Sequence, residues 1–125
     1  MEKLSYKMAQ PKVCDLIKAE KDGQIYVSFE FFPPKTDKGD ENLAKAMLEF
    51  KKQDPIFVDF TWGAGGTTAD KTPKWCSKCK DENELVVNMH LTCTNVEDGK
   101  VKEALDFCKA QGVTNLVTLR GDPPA

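Results

Sequence analysis

Histidine is scarce in this chain, with one, His90, among 125 residues. A structural zinc site takes about four Cys or His ligands, so a lone histidine without a second cysteine pair points away from bound metal. Cysteine is sparse and odd in number, five in all, scattered at positions 14, 76, 79, 93 and 108. That usage does not form a disulfide frame and suits a reducing, cytoplasmic compartment. Long apolar runs are missing: nothing approaches the roughly 20 apolar residues of a membrane helix. The opening residues, Met1 to Lys7, lack the apolar stretch of a secretory signal. Charge of one sign is also missing, with 18 Lys and Arg against 20 Asp and Glu and a net charge of -2. A protein that grips a phosphate backbone shows a basic face, so nucleic acid is not an expected partner.

The remaining composition, 40% hydrophobic and 30% charged, is that of a folded globular domain. Two periodicities alternate along it. Pro11 to Lys21 reads as a short helix, with Pro11 suiting a first turn and Asp22-Gly23 breaking it. Ile25 to Phe32 is β-branched and aromatic, as a strand should be, and Pro33-Pro34 ends it. Leu43, Ala46, Met47 and Phe50 give a helical stripe over Asp40 to Lys52. Ile56 to Thr61 is a second strand, followed by a glycine-rich loop, Gly63 to Thr68. Thr72-Pro73 predicts a helix N-cap and first position, with the helix running to about Asp81. Leu85 to Thr92 is a third strand. Glu97 to Gln111 is a helix with Gly112 as its terminator, and Asn115 to Leu119 is a fourth strand. The order predicts a parallel sheet with crossover helices, either part of a (β/α)8 barrel or an open doubly wound sheet.

Parallel α/β folds collect their chemistry at the carboxyl ends of the strands. Glu30, Thr61, His90 and Arg120-Gly121-Asp122 lie at those ends here. Glu30 sits in Phe29-Glu30-Phe31-Phe32. Its carboxylate is either solvent-facing by alternation or held in an apolar site that would make it a proton donor. A lone histidine near a strand end is more often a hydrogen-bonding or packing residue than a base. Cys76-Ser77-Lys78-Cys79 falls inside a predicted helix, not where a thioredoxin-type site opens. Gly63 to Thr68 matches no phosphate-loop signature, and its plain reading is a surface loop. Gly121 permits close backbone approach to a bound ring, flanked by a charge of each sign. A complete flavodoxin-like module would need a phosphate loop after the first strand, and Pro33-Pro34-Lys35-Thr36 supplies few free N–H donors there.

Four segments together resemble the methylenetetrahydrofolate reductase family. They are Ser28-Phe29-Glu30-Phe31-Phe32-Pro33-Pro34-Lys35, Phe57 through Gly66, His90-Leu91-Thr92-Cys93-Thr94-Asn95 and Leu119-Arg120-Gly121-Asp122-Pro123-Pro124. They stand in the family's order and at about its spacing, and Thr61-Trp62-Gly63-Ala64-Gly65-Gly66 is similar to the eukaryotic branch.

The resemblance implies a TIM barrel that binds FAD. It implies an oxidoreductase of one-carbon metabolism, in which NAD(P)H reduces the flavin and the flavin reduces 5,10-methylenetetrahydrofolate to 5-methyltetrahydrofolate. Glu30 matches the general acid that protonates the folate and opens its five-membered ring. Thr61, Trp62, His90, Arg120, Gly121 and Asp122 match cofactor-binding positions. Glu30, Phe31, Phe32, Pro33, Pro34, Lys35 and Asp122 match places where folate or nicotinamide lies. Lys35 stands where the family more often has Arg, exchanging a planar fork for a point charge. Phe60 and Thr118 replace residues that are usually smaller or more apolar.

A complete barrel takes about 250 residues. The expectation is therefore an amino-terminal half barrel: residues 1–24 as lead-in and short helix, and 25–125 as four strands with three crossover helices. Such a half leaves two open strand edges. The alternative to catalysis is a fragment or isoform that pairs through those edges, with itself or with a full-length subunit.

Overall fold

The computed structural model describes residues 7–62, 71–94 and 96–122. Its elements run in the order α1 Val13–Ala19, β1 Ser28–Phe31, α2 Asp37–Lys51, β2 Phe57–Phe60, α3 Lys71–Asn83, β3 Val87–Thr92, α4 Lys100–Gln111 and β4 Asn115–Leu119. The strands form one sheet in the order β1-β2-β3-β4, and every neighbouring pair is parallel. An open doubly wound sheet reverses its strand order at a switch point. No reversal occurs among these strands, and each connection steps to the next neighbour, as in a barrel wall.

α2, α3 and α4 cover one face. Phe31, Val58, Phe60, Val87, Met89 and Leu91 point into a single core with Met47, Trp75, Cys76, Cys79, Ala104 and Cys108 from α2, α3 and α4. Alternation then turns Glu30, Asp59, Asn88 and His90 to the opposite face. Register places Glu30 beside Asp59, Asp59 beside Asn88, and Asn88 beside Asn115, so a polar row crosses the sheet.

Several boundaries differ from the expected ones. The first strand begins at Ser28 rather than Ile25. β2 starts only at Phe57, so Ile25 to Val27 have no strand alongside, although the Val27 carbonyl still accepts from Ile56 N–H at 2.9 Å. α2 begins at Asp37 rather than Asp40, because Thr36 caps it: its Oγ1 accepts from the Gly39 N–H. Thr72 is not an N-cap. It lies inside α3, fully buried, and its hydroxyl donates to the Thr61 carbonyl at 2.8 Å. α4 begins at Lys100, after Gly99 at φ 89°, rather than at Glu97, and Gly112 closes it at φ 73°. Gly63 to Thr68, read as a loop, lies outside the described residues.

The leading segment is tied to the amino ends of the strands. Gln10 bonds to the Leu85 carbonyl and the Val87 N–H. Asn115 accepts from Val13 N–H and donates to the Pro11 carbonyl. The carboxyl ends are thus left as the accessible side of the sheet.

Candidate active site

At the carboxyl end of the helix-free face, the structure gathers Glu30, Thr61 and His90, with Arg120, Gly121 and Asp122 just past β4. Glu30 is exposed. Of the two alternatives for this carboxylate, the solvent-facing one holds. Thr61 is half-buried, and its backbone is fixed from both sides: its N–H donates to Phe31 O at 3.0 Å and its carbonyl accepts from Thr72.

His90 is 19% exposed at its side chain and has a specific partner. Its Nε2 lies 3.1 Å from Asp59 Oδ1, and Asn88 Nδ2 donates to that same oxygen at 2.8 Å. Asp59 is the residue that motif reading passed over. Its signal was present: an acid inside Phe57-Val58-Asp59-Phe60, alternating onto the same face as Thr61.

Beyond β4, the Thr94 N–H donates to Arg120 O at 2.8 Å and the Thr94 hydroxyl reaches the same carbonyl. Gly121 has φ +86°, and a Cβ there would stand 2.3 Å from Thr92 Cγ2. Only glycine lets the backbone pass so close to the end of β3. Arg120 and Asp122 are exposed.

Two predicted site residues lie elsewhere. Phe31 faces the helices, its ring centroid 5.1 Å from Phe50 and 5.7 Å from Phe60. Trp62 is buried and lines a cavity of about 190 Å³ with residues of α3 and α4, among them Pro73, Ala104 and Phe107. Phe32 alternates back to the open face and is 75% exposed.

The loop after β1 is clamped from the helical side. Lys71 Nζ donates to Pro34 O and to Asp40 Oδ2, each at 2.8 Å, and Trp75 Nε1 donates to Asp40 Oδ1 at 3.0 Å. The Lys71 bond, then the Trp75 bond, hold the Asp40 carboxyl below its usual range against partial burial. Pro33 is buried, Pro34 half-buried and Lys35 exposed.

The Cys76 and Cys79 thiols are core groups. Burial pushes Cys76 well up and Cys79 to about 12, so neither is a thiolate near neutral pH. Among the described residues, no group of three or more His, Cys, Asp or Glu is placed to hold a metal ion. None of the helices there is long and apolar enough to cross a membrane.

A family profile described as methylenetetrahydrofolate reductase matches residues 15–125. The chain is 46% identical over 114 residues to methylenetetrahydrofolate reductase (NADH) 1 of Arabidopsis thaliana, covering 90% of this chain and 19% of that protein. To methylenetetrahydrofolate reductase 2 of Schizosaccharomyces pombe it is 38% identical over 114 residues, covering 90% of this chain and 18% of that one. To 5,10-methylenetetrahydrofolate reductase of Escherichia coli K12 it is 35% identical over 106 residues, covering 85% of this chain and 36% of that protein. The chain therefore spans under a fifth of the plant and fission-yeast relatives and just over a third of the bacterial one.

Proposed function

The chain belongs to the methylenetetrahydrofolate reductase family, and from that premise we propose that its helix-free face forms part of a site for FAD-dependent reduction of 5,10-methylenetetrahydrofolate by NAD(P)H. The observation that carries this reading is the co-location of Glu30, Thr61 and His90 on one face, at the carboxyl ends of adjacent parallel strands. Residues 25–125 then serve as the amino-terminal wall of the cofactor cleft, and the surroundings are cytoplasmic.

The residues present suit the cofactor. Arg120 supplies an exposed cation for a phosphate, and Thr61 and His90 supply polar atoms for a flavin or its ribityl chain. Bound there, FAD supplies the hydride-transfer chemistry. This chain's residues bind, orient and move a proton. On this reading Glu30, exposed near the end of β1, becomes the acid once bound flavin and folate cover it, since removal of water favours the protonated carboxyl, whose proton then goes to the folate and opens the five-membered ring. Phe32, Pro34 and Lys35 offer a surface for pterin or nicotinamide, with Pro33 buried between them and Lys71 holding the Pro34 carbonyl in place. Asp122 lies past β4 as a second carboxylate for the pterin. Phe31 and Trp62 support this surface from the helical side. The plant relatives are named for NADH, and NADH is the reductant to assay first.

Substituting Glu30→Gln in a longer chain carrying the whole barrel tests the reading. Folate reduction should fall by at least about a hundredfold, as for loss of a general acid, while flavin reduction by NADH persists. Unchanged folate reduction would remove Glu30 from the acid role.

A second reading has its own observation. β1 and β4 each have one strand neighbour among the described residues, and Val117 and Leu119 are exposed on β4. Open edges recruit strands, which favours association of this chain with itself or with a full-length subunit. Sedimentation that finds only monomer at micromolar concentration, alone and mixed with the full-length protein, would remove it.

A further inference from the structure

We propose that Asp59 is the positioning residue for His90, setting both the orientation of its ring and which nitrogen carries the proton. The pair spans two strands. Asp59 lies directly across from Asn88 in the β2–β3 register, and His90 is two residues further along β3 on the same face. The Asp59 carboxylate therefore reaches His90 along the diagonal that links positions j and j+2 of a neighbouring strand. Asn88 anchors the carboxylate: its Nδ2 and the His90 Nε2 converge on one oxygen, Oδ1, at 2.8 and 3.1 Å. Both members of the pair are largely withdrawn from water, with side-chain exposures of 19% for His90 and 15% for Asp59.

The chemistry follows from the types of group. An ionised carboxylate only accepts hydrogen bonds, so the nitrogen facing it is an N–H. In the neutral ring Nε2 is then the donor, and Nδ1 is left as the acceptor. An imidazole without such a partner can turn over and exchange its nitrogens for carbons. Outer partners of this kind fix ring orientation at histidine sites generally. On the flavin reading given above, Nδ1 is the atom that His90 offers to a donor on the cofactor. That role of Nδ1 rests on the flavin reading; the Asp59–His90 arrangement does not.

His90 is the only histidine in the chain, so its ring signals need no assignment. The test is long-range proton–nitrogen NMR of histidine-labelled protein at alkaline pH. The wild-type chain should show the Nε2–H tautomer, with that proton protected from exchange with water. Asp59→Leu should mix the tautomers and remove the protection. Asp59→Asn should restore both, because Asn88 holds the amide with its oxygen toward the donors. Asn88→Ala keeps the carboxylate but frees it, and should give intermediate protection. Circular dichroism on each variant separates these effects from misfolding. If Asp59→Leu does not fold, Asp59→Asn and Asn88→Ala carry the test. An Nδ1–H tautomer in the wild type would overturn the proposal, and so would ring signals that ignore every substitution.

FAD titration of the same proteins separates the two readings. Asp59→Leu should bind about tenfold more weakly than wild type, the loss typical of a missing outer partner. Equal binding would overturn the positioning of His90 toward the cofactor. A wild-type chain that takes up no FAD would count against the flavin reading, while the ring signals still decide Asp59.

Discussion

Gly121 and the three buried cysteines show how single residues constrain this chain in opposite ways. Gly121→Ala meets a positive φ and a methyl group 2.3 Å away. The substitution should cost about 1–3 kcal/mol, read as a lower urea midpoint with unchanged slope. The cost should come with displacement of Arg120 and Asp122 on either side. Cys76, Cys79 and Cys108 are buried while Cys14 and Cys93 are exposed. Burial also raises Cys108, to about 11. A thiol reagent at neutral pH should therefore modify the two exposed cysteines in the native chain and all five only after unfolding. Rapid modification of the buried three would mean that α3 and α4 open readily. At this scale the candidate site was partly legible. Glu30, Thr61 and His90 could be read because each interrupts an apolar strand at its carboxyl end. Asp59 showed only as an acid inside an apolar strand, since its significance lies in a partner 31 residues away. Phe31 and Trp62 read as ligand-facing from their motifs, yet alternation turns them to the helices.

Two helices carry the element-scale predictions. Thr36→Ala removes the hydroxyl that accepts from Gly39 N–H and should cost about 1 kcal/mol, measured by thermal unfolding. Asp40 links α2 to α3 through Lys71 and Trp75, and its carboxyl is held below the ordinary range. Its folded value lies below the unfolded one, so its contribution is full at neutral pH. That contribution is lost as pH falls through the folded value, below the unfolded carboxylate range of about 4. Asp40→Asn should destabilise by roughly 0.5 kcal/mol at neutral pH, because the pair is partly exposed, and the difference from wild type should vanish in acid. A difference that persists there would trace it to something other than charge. Element order was readable from periodicity alone. Element ends were less so: the Thr36 cap and the buried Thr72 depend on which atoms lie opposite.

At the scale of the whole molecule, one face of the sheet carries the core and the other presents the polar row. Met89 is fully buried between the sheet and α4, where Cys108 Sγ lies 3.6 Å from its sulfur. Met89→Ala should cost about 2–5 kcal/mol by leaving a cavity, without altering the polar row on the opposite face. Helix-free coverage of that row also bears on cofactor uptake. After incubation with FAD and desalting, a retained and shifted flavin band would mean that this wall holds the cofactor; a colourless protein would count against the flavin reading of this chain.

The sequence by itself determined the alternation and order of strands and helices and the family. Each is a local signal, carried by period, turn chemistry and short motifs. The tertiary structure alone decided that strand order does not reverse among the described residues, that α2, α3 and α4 lie on one face, and that Asp59 meets His90. Those are relations between residues distant in sequence, set by which backbone groups pair and which side chains exclude water together.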